Sequence, residues 1–136
     1  MTLELKLDIT PVSHQSARFT RRGIAYKPKK IKHFQKCLID LVKEQLPKDF
    51  EIIKAGTPIT VEFIEYVYEY PKSMPKKNKI GKVPKITKPD LQDNLNKAFF
   101  DSLEGIVFEQ DQNIHYICSM RKYYDKSSKI HLKLNY

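Results

Sequence analysis

The sequence has no apolar run near the ~20 residues that cross a bilayer, which argues against a helical membrane protein. Its two cysteines, Cys37 and Cys118, lie far apart within apolar patterns. They have neither metal-ligand spacing nor the density of a disulfide scaffold, so a reducing, cytoplasmic setting is expected. The histidines His14, His33, His115 and His131 are scattered without ligand spacing, and each reads as a surface or structural residue. No internal repeat breaks the chain, and no organic cofactor is expected. The opening MTLELKLDIT alternates charge with leucine, unlike a signal or transit peptide. Acid is also scarce: 16 Asp and Glu face 25 Lys and Arg, a formal net charge of +9 over 136 residues. That excess points to a polyanionic partner, nucleic acid first. An anionic membrane fits less well, because no strongly basic amphipathic helix with an aromatic face is present. A merely basic soluble protein satisfies the charge alone.

What is present reads as one α/β domain over residues 1–136. LELKLDI, residues 3–9, alternates strictly and predicts a half-buried strand. SARFTRRGIAYKPKK then gathers Arg18, Arg21, Arg22, Lys27, Lys29 and Lys30 around Gly23, as a basic loop or short hairpin. Pro28 suits a first helical turn. Ile31, Phe34, Leu38, Leu41 and Leu46 carry a helical stripe to Pro47. ITVEFIEYVYEY, residues 59–70, is rich in β-branched and aromatic residues and predicts a second strand. PKSMPKKNKIGKVPKITKP holds seven lysines, four prolines and no acid. It predicts a flexible, lysine-rich surface loop over 70–88 without regular structure. A second helix is expected from Leu91 to about Gly105. IHYICSMRKYY and KIHLKLN flank DKSS and predict a terminal β-hairpin. The order is β-α-β-α-β-β, a small mixed sheet packed with two main helices.

The informative stretch is KPDLQDNLNKAFFDSLEGIVFEQDQNI, residues 88–114, where Asp90, Asp93, Asp101 and Asp111 collect in a basic chain. At about 100° per residue, Asp90, Asp93, Lys97 and Asp101 share one helix side, and Leu91, Leu95, Ala98, Phe99, Leu103 and Ile106 the other. The plain reading makes Asp90 a cap, Asp93 a partner of the helix dipole, and Asp93–Lys97–Asp101 ordinary ion pairs. The chemical reading gathers carboxylates at a helix start and a strand start into an all-oxygen site for Mg²⁺ or Mn²⁺. Carboxylates repel a phosphate backbone unless a divalent cation lies between them. Such a site within a basic surface therefore suits a metal-dependent nuclease.

At these residues the sequence resembles the RusA family of Holliday-junction resolvases, small homodimeric endodeoxyribonucleases often encoded by phages and prophages. The family pattern, P-D-x-D-N-x-x-K-A-x-x-D-x-L-x-G and then a D-D-x-Q-I-like segment opening a strand, is matched by KPDLQDNLNKAFFDSLEGIVFEQDQNI. RFTRRGIAYKPKKIKHFQK resembles the family's basic segment before its first helix. The resemblance implies that Asp90, Asp93 and Asp111 bind metal, with Mg²⁺ replaceable by Mn²⁺, and that Lys97 is the functional lysine. Two residues, Leu91 and Gln92, separate Asp90 from Asp93 where the family usually has one, making Asp90 the least secure ligand. Gln110 stands where an acid usually precedes Asp111, with Glu109 one step earlier. Asp101 is assigned to positioning Lys97 or to surface pairing.

The resemblance further implies a homodimer that resolves four-way junctions by two symmetric nicks. Arg18, Arg21, Arg22, Lys27, Lys29, Lys30, Lys76, Lys77, Lys79, Lys82, Lys85 and Lys88 are the candidate DNA contacts, and Tyr123 and Tyr124 candidates for stacking on exposed bases. A nuclease for flaps or other branched DNA, and a non-catalytic basic DNA-binding module, remain the alternatives.

Overall fold

The computed structural model describes residues 1–13, 18–19, 21–26 and 29–136, without the side chains of Arg18, Phe19, Tyr26 and Asp93. Lys27 and Pro28, and the side chain of Arg18, thus lie outside the described residues.

Strand β1 (Thr2–Leu7) follows its alternation, burying Leu3, Leu5 and Leu7 and exposing Thr2, Glu4 and Lys6. It ends before Ile9 because the Ile9 N–H bonds the Leu7 carbonyl at 2.9 Å and turns the chain away. The basic segment is a short hairpin: β2 (Arg18–Phe19) pairs antiparallel with β3 (Ala25–Tyr26). Gly23, at φ 78°, takes the left-handed conformation that an L side chain resists. Helix α1 (Lys29–Gln45) buries Ile31, Phe34, Leu38 and Val42 at helical spacing. Its last residue reaches the sheet, where the Gln45 carboxamide oxygen accepts the Lys6 N–H at 2.9 Å.

Strand β4 (Ile59–Glu69) is the centre of the molecule. An irregularity between Val61 and Phe63 shifts its register against β8, so Ile59 and Val61 and then Ile64 and Tyr66 join the core. The same shift turns Glu65 to the opposite face with Val67. The sheet runs β1-β8-β4-β7-β5, with β6 (Ile114–Ile117) beside the first part of β4. Strands β6 and β7 (Met120–Asp125) lie parallel to β4, while β8 (Lys129–Asn135) lies antiparallel to it.

Two expectations are corrected here. The terminal segments form no hairpin, because β4 lies between β7 and β8. Their link passes over the end of β4, where the Tyr70 N–H bonds the Asp125 carbonyl at 3.1 Å and the Glu69 N–H bonds Ser128 Oγ at 3.0 Å. A central strand needs a partner on each edge, and a short connection cannot by itself say whether its flanks are neighbours. Nor is the lysine-rich segment without regular structure. Lys76–Asn78 make one 3₁₀ turn, and β5 (Val83–Pro84) pairs with Tyr124 and Tyr123 at the sheet edge. Pro84 is tolerated on that outermost strand, where a missing N–H leaves no ladder bond unmade.

The second helical stretch divides into a wide turn, Leu91–Asn96, and helix α2 (Lys97–Leu103). Leu95, Phe99, Phe100 and Leu103 pack against the sheet with Phe34, Leu38 and Val42 of α1, completing a single core. The fold is thus one small α/β domain with a mixed sheet and two helices. Among the described residues no helix is long and apolar enough to cross a membrane.

Candidate active site

Asp90 begins the acidic stretch in extended conformation (φ −66°, ψ 137°), and its exposed side chain makes no cap hydrogen bond. Its carbonyl accepts the Leu95 N–H at 3.1 Å. A bond spanning five residues closes a π turn, one residue wider than an α turn. The two residues between Asp90 and Asp93 are accommodated there, since the wider ring absorbs the extra one without breaking the helix that follows. Asn96 locks this turn to the sheet, accepting the Tyr66 hydroxyl at 2.5 Å and donating to Met120 Sδ. Burial raises the Tyr66 phenol well above its ordinary pKa, so it stays a donor.

The far end of α2 leads to the other half of the site. Gly105, at φ 86°, turns the chain back after Glu104, and its N–H bonds the Phe108 carbonyl at 2.8 Å. Glu109 then anchors the returning segment, accepting the Ala55 N–H at 2.7 Å and pairing with Lys54 at 3.3 Å. These two bonds hold its carboxyl below its ordinary pKa and give it a structural role. Asp111 follows at the head of a 3₁₀ turn that opens β6.

This return brings Asp111 to α2. Carboxylate oxygens of Asp101, Glu104 and Asp111 lie within 4.8 Å of one another. None of the three carries an ion pair among the described residues, and Lys97 forms none with Asp101. Asp101 therefore neighbours acids rather than positioning Lys97 by an ion pair. Three uncompensated carboxylates form a hard, all-oxygen donor set, which suits a divalent cation. Lys97, Asp101 and Asp111 share one open cavity of about 680 Å³ with Gln92, Asn94 and Phe100. Asp90 stands outside this cavity lining and outside the three-acid cluster; the side chain of Asp93 lies outside the described residues. Glu104 was missed from sequence. Its signal was the three-residue spacing from Asp101, which puts both on one side of a helix.

Most of the candidate DNA contacts reach the surface. Arg21, Arg22, Lys29, Lys30, Lys76, Lys77, Lys82 and Lys88 are exposed, and Lys79 and Lys85 are half-buried. Lys82 and Arg121 lie over the Tyr123 ring, 5.1 and 5.5 Å from its centroid. Lys85 lies 4.8 Å from the Tyr68 ring centroid and 4.9 Å from that of Tyr124. Tyr123 is only 4% exposed and donates its hydroxyl to Glu65. Its ring is thus occupied by cations rather than open to a base, and it arranges positive charge instead of stacking.

No curated protein matches the chain significantly. Residues 8–135 match the family described as endodeoxyribonuclease RusA, and the chain therefore belongs to the RusA endodeoxyribonuclease family.

Proposed function

We propose that this chain is a divalent-metal-dependent endodeoxyribonuclease that resolves four-way DNA junctions as a homodimer, through two symmetric nicks. The observation that carries the reading is the meeting of uncompensated carboxylates with Lys97 around one cavity in a chain of net charge +9. Asp111, with Asp90 and Asp93 from the wide turn, would hold Mg²⁺ or Mn²⁺, and Asp101 and Glu104 add negative charge beside Asp111. Bound there, the ion would supply charge neutralisation between carboxylates and phosphate and an activated water. Lys97 contributes fixed positive charge to the phosphate under attack. The exposed lysines and arginines named above hold the DNA strands, together with Arg18 and Lys27. Two sites related by a two-fold axis fit a substrate that must be cut symmetrically.

The test compares a four-way junction, a flap and a linear duplex, with Mg²⁺ and with EDTA. Junction cleavage by paired nicks, dependent on Mg²⁺ and abolished in Asp93→Asn while binding persists, is the expected outcome. Preferential flap cleavage would reassign the substrate. Full activity of Asp93→Asn would end the assignment of that residue.

A further inference from the structure

Lys122 belongs to none of the groups expected to touch DNA or metal, yet it ties two of them together. It stands on β7, paired with Tyr66 of β4, and its carbonyl accepts the Lys85 N–H at 3.3 Å. Its half-buried side chain runs back toward the site, where Nζ donates to the Thr87 carbonyl at 2.6 Å and the Pro89 carbonyl at 2.7 Å. Two charge-assisted bonds take two of the three ammonium donors and commit this lysine to the backbone. Among the described residues it pairs with no acid. Thr87 is held a second time, its hydroxyl accepting Lys85 Nζ at 2.9 Å, while Lys85 also donates to the Tyr124 hydroxyl at 3.1 Å. Pro89 directly precedes Asp90, whose carbonyl opens the wide turn.

Resting on the endonuclease reading, we propose that Lys122 is a positioning residue for the nuclease site. By clamping the Thr87 and Pro89 carbonyls it fixes the start of the wide turn, and with it Asp90 and Asp93. The same clamp joins the lysine-rich segment to that turn, so DNA lying on the segment bears on the placement of the aspartates.

The test is Lys122→Met, which keeps the length of the side chain and removes the donors. Cleavage of a four-way junction is measured with Mg²⁺, junction binding at several salt concentrations in EDTA, and amide exchange over residues 87–95 without metal. Since a displacement of about 1 Å in a site costs on the order of a hundredfold, kcat should fall by up to about that factor. KM and the salt slope should change less than about twofold, because Nζ is engaged by carbonyls and not by phosphate. The Leu95 amide should exchange faster, and Lys122→Arg should restore most of kcat. Should the Met variant not fold, Lys122→Gln, which keeps two N–H donors on a shorter arm, should show the same split at about fivefold. Normal kcat with weaker binding and a shallower salt slope would make Lys122 a phosphate contact and overturn the proposal, as would unchanged exchange at Leu95. If the wild-type protein cuts no branched DNA, the endonuclease reading fails, and the exchange result still decides whether Lys122 fixes the turn.

Discussion

Replacing Asp111 by Asn removes one charge from the three-acid cluster while keeping a residue that suits a turn. With carboxylate oxygens within 4.8 Å, each like-charge pair is repulsive. The cost is about 0.9 kcal/mol at the dielectric of water and about 3.5 kcal/mol at an effective value of 20. Asp101 and Glu104 are exposed and Asp111 is half-buried, so the aqueous figure is the better guide. Asp111 faces two such neighbours, and its neutralisation should relieve about 1–2 kcal/mol at low salt. At about 2.1 cal/mol/K per residue of unfolding entropy, a chain of 136 residues should then melt about 3–7 °C higher. The assay is thermal unfolding at low ionic strength in EDTA, followed by a Mg²⁺ titration. The wild type should gain stability as the ion saturates its site, by about 2.7 kcal/mol at a hundredfold excess over Kd, while Asp111→Asn gains far less. The two proteins therefore change order between EDTA and Mg²⁺. An Asp111→Asn protein that is no more stable in EDTA and responds equally to Mg²⁺ would refute both the repulsion within the cluster and the assignment of Asp111 to the ion.

Two further perturbations probe the frame around the site. Burial pushes the Glu65 pKa up, but hydrogen bonds from Tyr123 and Arg121 and the charges of Arg121 and Lys82 outweigh it, leaving the carboxyl below its ordinary value. A depressed carboxyl stabilises the fold above its unfolded pKa and loses that contribution as pH falls through its folded pKa. Glu65→Gln should therefore lower stability by about 1–3 kcal/mol at pH 7, with a deficit that shrinks below about pH 4; a deficit independent of pH in denaturant melts would contradict the account. In the lysine-rich segment, Lys76→Met with Lys77→Met should weaken junction binding and flatten the slope of log K against log salt by about 0.9 for each phosphate no longer neutralised. An unchanged slope would remove these residues from the interface.

The elements that could be read directly from sequence are those whose periodicity is enforced by one buried face. Leu3, Leu5 and Leu7 declare β1, and Ile31, Phe34 and Leu38 declare α1, because each repeat matches its backbone geometry. Neighbour relations were not legible in this way. Strands β7 and β8 alternate as a hairpin would, yet the edges of β4 claim both of them. The wide turn at Leu91–Asn96 escaped notice because a π turn lacks a residue signature of its own, although the extra residue between Asp90 and Asp93 was its trace. Of the site, the carboxylate-bearing stretch was visible as acid within a basic chain. The approach of Asp111 to Asp101 and Glu104 depends on the reversal at Gly105 and the anchoring of Glu109 on Ala55, both of which form only in the folded chain.

The central claim is most directly tested by strand-specific mapping of cuts in a four-way junction incubated with wild-type protein and with Asp111→Asn. The account predicts symmetric nicks in two opposing strands with Mg²⁺ or Mn²⁺, none in EDTA, and none from the variant although it still binds the junction. A wild-type protein that retards the junction in both metals and leaves every strand intact would contradict it.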